Sequence, residues 1–146
     1  MMRREGFTLV EMLTALLILS VLLMIAIPYW SQYQLRAKIS EGLGLVGPLK
    51  NMATEFYMIN NRFPANNADI NLENGAEYRG NWTAAIEFSN TPSPGTIIIT
   101  FDSTKLPQLD INNTLMLVPT WENGHTLWTC TGGTLDDRLR PHQCRS

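Results

Sequence analysis

The sequence predicts an α+β fold: a long N-terminal helix, hydrophobic in its first half and amphipathic in its second, packed on an antiparallel sheet of about four strands and followed by a C-terminal disulfide loop. Three observations lead there. Residues 12–34 carry no charged side chain, and residues 12–29 are almost wholly apolar. Apolar residues then recur at steps of three and four. After Thr83, short β-branched stretches alternate with Gly, Pro and Asn turns. A chain of 146 residues has room for one compact domain plus one long extra element.

Side-chain chemistry sets the helix. Residues 13–27 are rich in Leu, Met and Ala, which favour it. Pro28 interrupts, because it lacks an N–H and crowds the preceding turn. Beyond Trp30 one apolar face is marked by Leu35, Ile39, Leu43, Val46, Met52 or Ala53, Phe56 and Ile59. Arg36, Lys38, Glu41, Lys50 and Glu55 take the other positions. One helix is expected from Phe7 to about residue 60, bent where Gly42, Gly44 and Gly47-Pro48 weaken its middle. Asn60-Asn61-Arg62-Phe63-Pro64 ends it, and residues 65–80 form a turn-rich connection.

Strands are expected over residues 83–88, 96–101, 114–118 and 126–130. Pro92-Ser93-Pro94-Gly95 turns the chain between the first two, and Glu122-Asn123-Gly124 makes a hairpin before the last. Trp121 and Trp128 flank that hairpin and read as packing residues.

Cys130 and Cys144 are the two cysteines. An even, closely spaced pair in a chain with a membrane-insertion signal suggests one disulfide in an oxidising compartment. A metal site is the alternative, but His125 and His142 lack ligand spacing and no carboxylate cluster supports them. Asp136-Asp137 alone makes a poor calcium site, since that ion takes six or more oxygens. The enclosed residues 131–143 offer little core of their own, and closing them by a disulfide contributes roughly 3 kcal/mol. No cofactor is expected. No nucleophile with its base, phosphate-binding glycine motif or metal signature points to an enzyme. The formal charge of −2 gives no global sign of nucleic-acid binding.

The N terminus carries the functional signal. Arg3 and Arg4 precede the apolar run, as in a secretory signal, but no Ala-x-Ala cleavage site follows it. A simple membrane anchor fits better, because about 20 apolar residues span a bilayer and the two arginines favour a cytoplasmic N terminus. Neither reading accounts for Glu11, whose charge is expensive in hydrocarbon without a partner.

Gly6-Phe7-Thr8-Leu9-Val10-Glu11 resembles the prepilin processing motif shared by type IV pilins and the pseudopilins of type II secretion. That resemblance implies a leader, residues 1–6, cut by a prepilin peptidase between Gly6 and Phe7, with N-methylation of the new Phe7 amine. It implies a membrane and filament-core helix over residues 7–34 and a periplasmic, later extracellular, head over residues 35–146. Glu11 is implied to pair with the Phe7 amine of a neighbouring subunit during assembly. The partners implied are further copies of the chain in a helical filament, the inner-membrane assembly machinery, and the bacterial inner membrane before assembly. Two charges left apart beside hydrocarbon cost several kcal/mol each, roughly, so the pair sets register more than strength.

The terminal cysteine pair resembles the C-terminal disulfide loop of type IVa pilins. The implied function is structural, a pilus subunit whose filament serves adhesion, twitching motility or DNA uptake. The alternatives are a type II secretion pseudopilin and a minor pilin specialised for DNA or receptor binding. For the last, Arg138, Arg140, His142 and Arg145 with Trp128 would form a basic, stacking patch. Asp136 and Asp137 weaken it, and a solvated loop is the plainer reading. Ser146 is a candidate O-glycan acceptor by resemblance. The Asn81-Trp82-Thr83 and Asn112-Asn113-Thr114 triplets match an N-glycosylation pattern and read as coincidence.

Overall fold

A computed structural model describes residues 6–72 and 78–145. Residues 1–5 of the expected leader, Arg3 and Arg4 among them, and Ser146 lie outside the described residues. The chain divides into two units, one through Gln34 and one from Leu35 onward.

Helix α1 spans Leu9–Asn60 as one element. It begins two residues later than expected because Thr8 caps it. The Thr8 hydroxyl accepts the Glu11 N–H at 3.3 Å while Glu11 Oε2 accepts the Thr8 N–H at 2.9 Å. This reciprocal arrangement satisfies donors that the first turn leaves free. Neither Pro28 nor Gly47-Pro48 ends the helix. Each proline removes only one N–H donor, and the bonds on either side carry the helix through.

In the second unit, Ile39, Val46, Leu49 and Ala53 of α1 are buried. Leu49 replaces Ile59 on the expected face; Ile59 is 73% exposed. Met52 and Phe56 pack against the core from its margin. Gly42 is no weak point. A Cβ there would lie 2.9 Å from both Ile99 Cγ2 and Phe101 Cε1, so its missing side chain is what lets α1 sit down on the sheet.

Four antiparallel strands form that sheet in chain order: β1 Thr83–Ser89, β2 Thr96–Phe101, β3 Thr114–Glu122 and β4 His125–Cys130. Phe88 pairs with Ile97 and Ile86 with Ile99 across β1 and β2. Ile97 meets Leu117 and Ile99 meets Leu115 across β2 and β3. These side chains alternate inward and make the core against α1. Strand β3 runs four residues past the expected end. Pro119 lies beyond the last β2 pairing, at Leu117, so its missing donor interrupts no shared ladder. Asn123 and Gly124, both at positive φ, close the β3–β4 hairpin.

The long connection is tied down by carboxylates and amides. Glu41 on α1 accepts the N–H groups of Asn81 and Trp82 at 3.0 and 2.8 Å. Asp69 accepts the Ala65 N–H at 2.7 Å and pairs with Arg62 at 3.0 Å. Those two interactions, in that order, hold the Asp69 carboxyl below its ordinary 3.8.

Candidate assembly segment and C-terminal loop

Every described residue from Gly6 to Gln34 is exposed. Among the described residues, nothing buries the apolar side chains of the first half of α1. That half is long and apolar enough to cross a membrane by length and composition. Thr14 donates to the Glu11 carbonyl at 3.0 Å and Ser20 to the Leu17 carbonyl at 2.7 Å. Glu11 bonds differently. Its Oε2 accepts both the N–H and the hydroxyl of Thr8, at 2.9 and 2.8 Å, and its Oε1 has no partner among the described residues. Glu11 thus presents one fixed and one free oxygen.

Phe7 precedes the helix and is 75% exposed, and no hydrogen bond joins it to Glu11 in the same chain. A Cβ at Gly6 would meet nothing within 4 Å, so no contact among the described residues explains the glycine. Of the segment's polar partners, sequence reasoning missed Thr8. The signal was present, a threonine three residues before a glutamate at the start of an apolar run.

The C-terminal loop is bolted to the sheet. Cys130 and Cys144 are disulfide-bonded, with Cα atoms 4.8 Å apart. Thr134 and Thr114 exchange N–H-to-hydroxyl bonds at 2.9 and 3.2 Å, and the Leu135 N–H donates to the Thr114 carbonyl at 2.9 Å. The loop also supplies core, since Leu135 is only 2% exposed. Gly133 sits at φ 82° against the Thr114 carbonyl, where any side chain would collide.

Two of the three arginines expected in a basic patch spend donors on this scaffold. Arg140 Nε donates to the Leu135 carbonyl at 2.9 Å, and Arg145 Nε to the Arg140 carbonyl at 3.0 Å. Arg36 on α1 donates to the Arg138 carbonyl at 2.9 Å. The cation over Trp128 is Lys50, not one of these arginines. Trp121 stacks on Tyr57 with centroids 4.5 Å apart, a packing role. His125 and His142 are exposed, and no group of three or more His, Cys, Asp or Glu forms among the described residues. The Asp136 carboxylate instead accepts the Arg138 N–H at 2.8 Å.

Two family models match the chain: a prokaryotic N-terminal methylation motif over residues 1–27 and a pilin (bacterial filament) model over residues 35–145. A fimbrial protein, EcpC, of Eikenella corrodens is 29% identical over 98% of this chain and 92% of its own length. A type IV major pilin, PilE1, of Neisseria gonorrhoeae is 27% identical over 87% of this chain and 69% of its own. The crystal structure of a Pseudomonas aeruginosa type IV pilin superposes with a TM-score of 0.55 at 19% identity, covering 76% of this chain and 97% of that one. That likeness concerns the fold. With the pilin model matched over well above half its length, and with type IV pilins among its relatives, the chain belongs to the pilin family of bacterial filament proteins.

Proposed function

We propose that the chain is made as a precursor in the bacterial inner membrane, cut between Gly6 and Phe7 by a prepilin peptidase and N-methylated on Phe7. Residues 7–34 then hold it in the membrane until inner-membrane assembly machinery packs it into a helical filament. Residues 35–146 form the head, periplasmic first and extracellular afterwards. The filament serves adhesion, twitching motility or DNA uptake.

One observation carries this reading. A run of apolar side chains, exposed throughout, holds a single carboxylate with one oxygen free. Cleavage after Gly6 would put an ammonium on Phe7, four positions away. An ammonium and a carboxylate beside hydrocarbon each need a partner, and a neighbouring copy supplies both. Bidentate demand at Glu11 explains the pattern: Thr8 occupies Oε2 and leaves Oε1 for the incoming amine.

Intact-mass analysis of purified filaments tests the reading. The mature chain should begin at Phe7 and carry one added methyl group. Gly6→Val should block maturation, because a β-branched side chain enters where the peptidase meets none. Filaments built from chains that retain residues 1–6 would overturn it.

A further inference from the structure

Away from the assembly segment, one lysine of the head is partly buried beside an aromatic ring. Lys50 lies on α1 facing β4 and is half-buried. Its Nζ stands 5.7 Å from the centroid of the Trp128 ring, near the outer limit of about 6 Å for a cation–π contact. No carboxylate pairs with it among the described residues. Partial burial pulls its ammonium below the ordinary lysine value of 10.5. Removing a cation from water without a partner opposes folding, so packing alone does not account for a lysine here.

Lys50 and Trp128 line an open groove of about 550 Å³ between α1 and β4. Asn51 brings an amide and His125 an imidazole, and no Asp or Glu lines it. A hydroxyl bond of 3.0 Å between Thr54 and Thr126 joins its two walls. Gly47 borders the groove on the helix side, and a Cβ there would meet nothing within 4 Å. Gly47 directly precedes Pro48 inside the helix, where a Cβ would crowd the proline ring. Its missing side chain also leaves the groove open.

We propose that this groove binds a carboxylate-bearing saccharide, a uronic or sialic acid. The carboxylate pairs with Lys50 Nζ, the C–H face of the sugar ring lies on the Trp128 indole, and Asn51 and His125 meet its hydroxyls. Three simpler ligand classes use only part of the site. An apolar ligand leaves Lys50 unpaired, and an inorganic anion makes no use of a flat aromatic wall. A neutral sugar gains nothing from the cation.

The experiment titrates the full chain, purified in detergent and unassembled, with the methyl glycosides of glucuronic acid, N-acetylneuraminic acid and glucose. Tryptophan fluorescence and the indole N–H resonances report binding. An acidic glycoside should bind saturably, and glucose at least about tenfold more weakly, the factor that one charge-assisted contact supplies. Lys50→Gln should remove that preference while leaving the thermal midpoint at or above the parent's. Gly47→Met, on an open helix surface, should block the groove with the core intact. Equal affinity for glucose, acidic binding that survives Lys50→Gln, or no saturable binding by the parent chain would each overturn the proposal. So would a chain that binds no glycoside but loses filaments on Lys50→Gln, since the groove would then receive a second copy.

Discussion

The two halves of α1 obey the same backbone geometry and differ in what they are built to touch. Residues 35–60 present Ile39, Gly42, Val46, Leu49 and Ala53 to the chain's own sheet. Residues 9–34 present Leu, Ile, Val and Met in every direction, and none is buried. An apolar stripe is matched to one partner face, whereas an all-round apolar helix needs an environment that surrounds it. The second half is thus satisfied by folding. No described residue buries the first, and in the proposed filament polymerisation would draw on the surface that folding leaves unused.

The sharpest way to break that division is Glu11→Gln, which touches the first half alone. If the free Oε1 receives the Phe7 amine of a neighbour, the variant leaves an ammonium unpaired in an apolar setting, an effect of about 3–5 kcal/mol at each contact. Filament number should fall by orders of magnitude while subunit accumulates in the inner membrane. Thermal unfolding of the head should not change. Sheared filaments and membrane-bound subunit, counted in the same cells, check both halves of the statement. Normal filaments at normal subunit levels would show that the charge pair does not drive assembly.

Cys130→Ser does the converse. It opens a 14-residue separation in the second unit and should lower head stability by about 3 kcal/mol, with membrane insertion unchanged. Leu135 should then leave the core, which limited proteolysis of residues 131–143 would detect.

Gly42→Ala sharpens the account of how α1 meets the sheet. Ile99 and Phe101 are both fully buried and cannot retreat, so the new methyl overpacks the interface. Overpacking costs about 1–3 kcal/mol and alanine's better helix propensity returns up to about 1, leaving a net loss of roughly 1 kcal/mol. Gly44→Ala meets nothing within 4 Å and should instead be neutral or stabilising. Denaturant midpoints of the two variants, measured side by side, separate packing from propensity.

The smallest effect concerns acid. The Ala65 N–H and Arg62 lower the Asp69 carboxyl, and the Thr104 hydroxyl and backbone lower that of Asp102, both from an ordinary 3.8. A carboxyl depressed in the folded state stabilises above the unfolded value and loses that contribution as pH falls through the folded one. Head stability should therefore be flat from neutral pH to about 4 and fall below it. Asp69→Asn should flatten part of that fall, with no effect on the first half of α1.

Some of this was legible without coordinates. The N-terminal methylation motif and the uncharged apolar run at residues 12–34 read directly, because both lie in local composition rather than in contacts. Strands beginning at Thr83, Thr96 and Thr114 were visible as β-branched runs between turn residues, and Asn123-Gly124 marked its hairpin. These are local signals, carried by neighbours along the chain.

What tertiary structure decided was which residues meet across it. Periodicity nominated Ile59 for the core, but the sheet faces Leu49 and leaves Ile59 in solvent. Gly42 read as a weak point of the helix and proved to be where α1 sits close against Ile99 and Phe101. The third strand was expected to end at residue 118, and it runs on through Pro119, which lies past the reach of β2. Arg140 and Arg145 read as free charge and serve as braces for loop carbonyls. Lys50 and Trp128, 78 positions apart, share a groove that no local pattern announces. Composition sets the solvent each segment prefers, since transfer free energy belongs to the side chain. Partners are set by the register of helix on sheet, which depends on the whole chain packing at once.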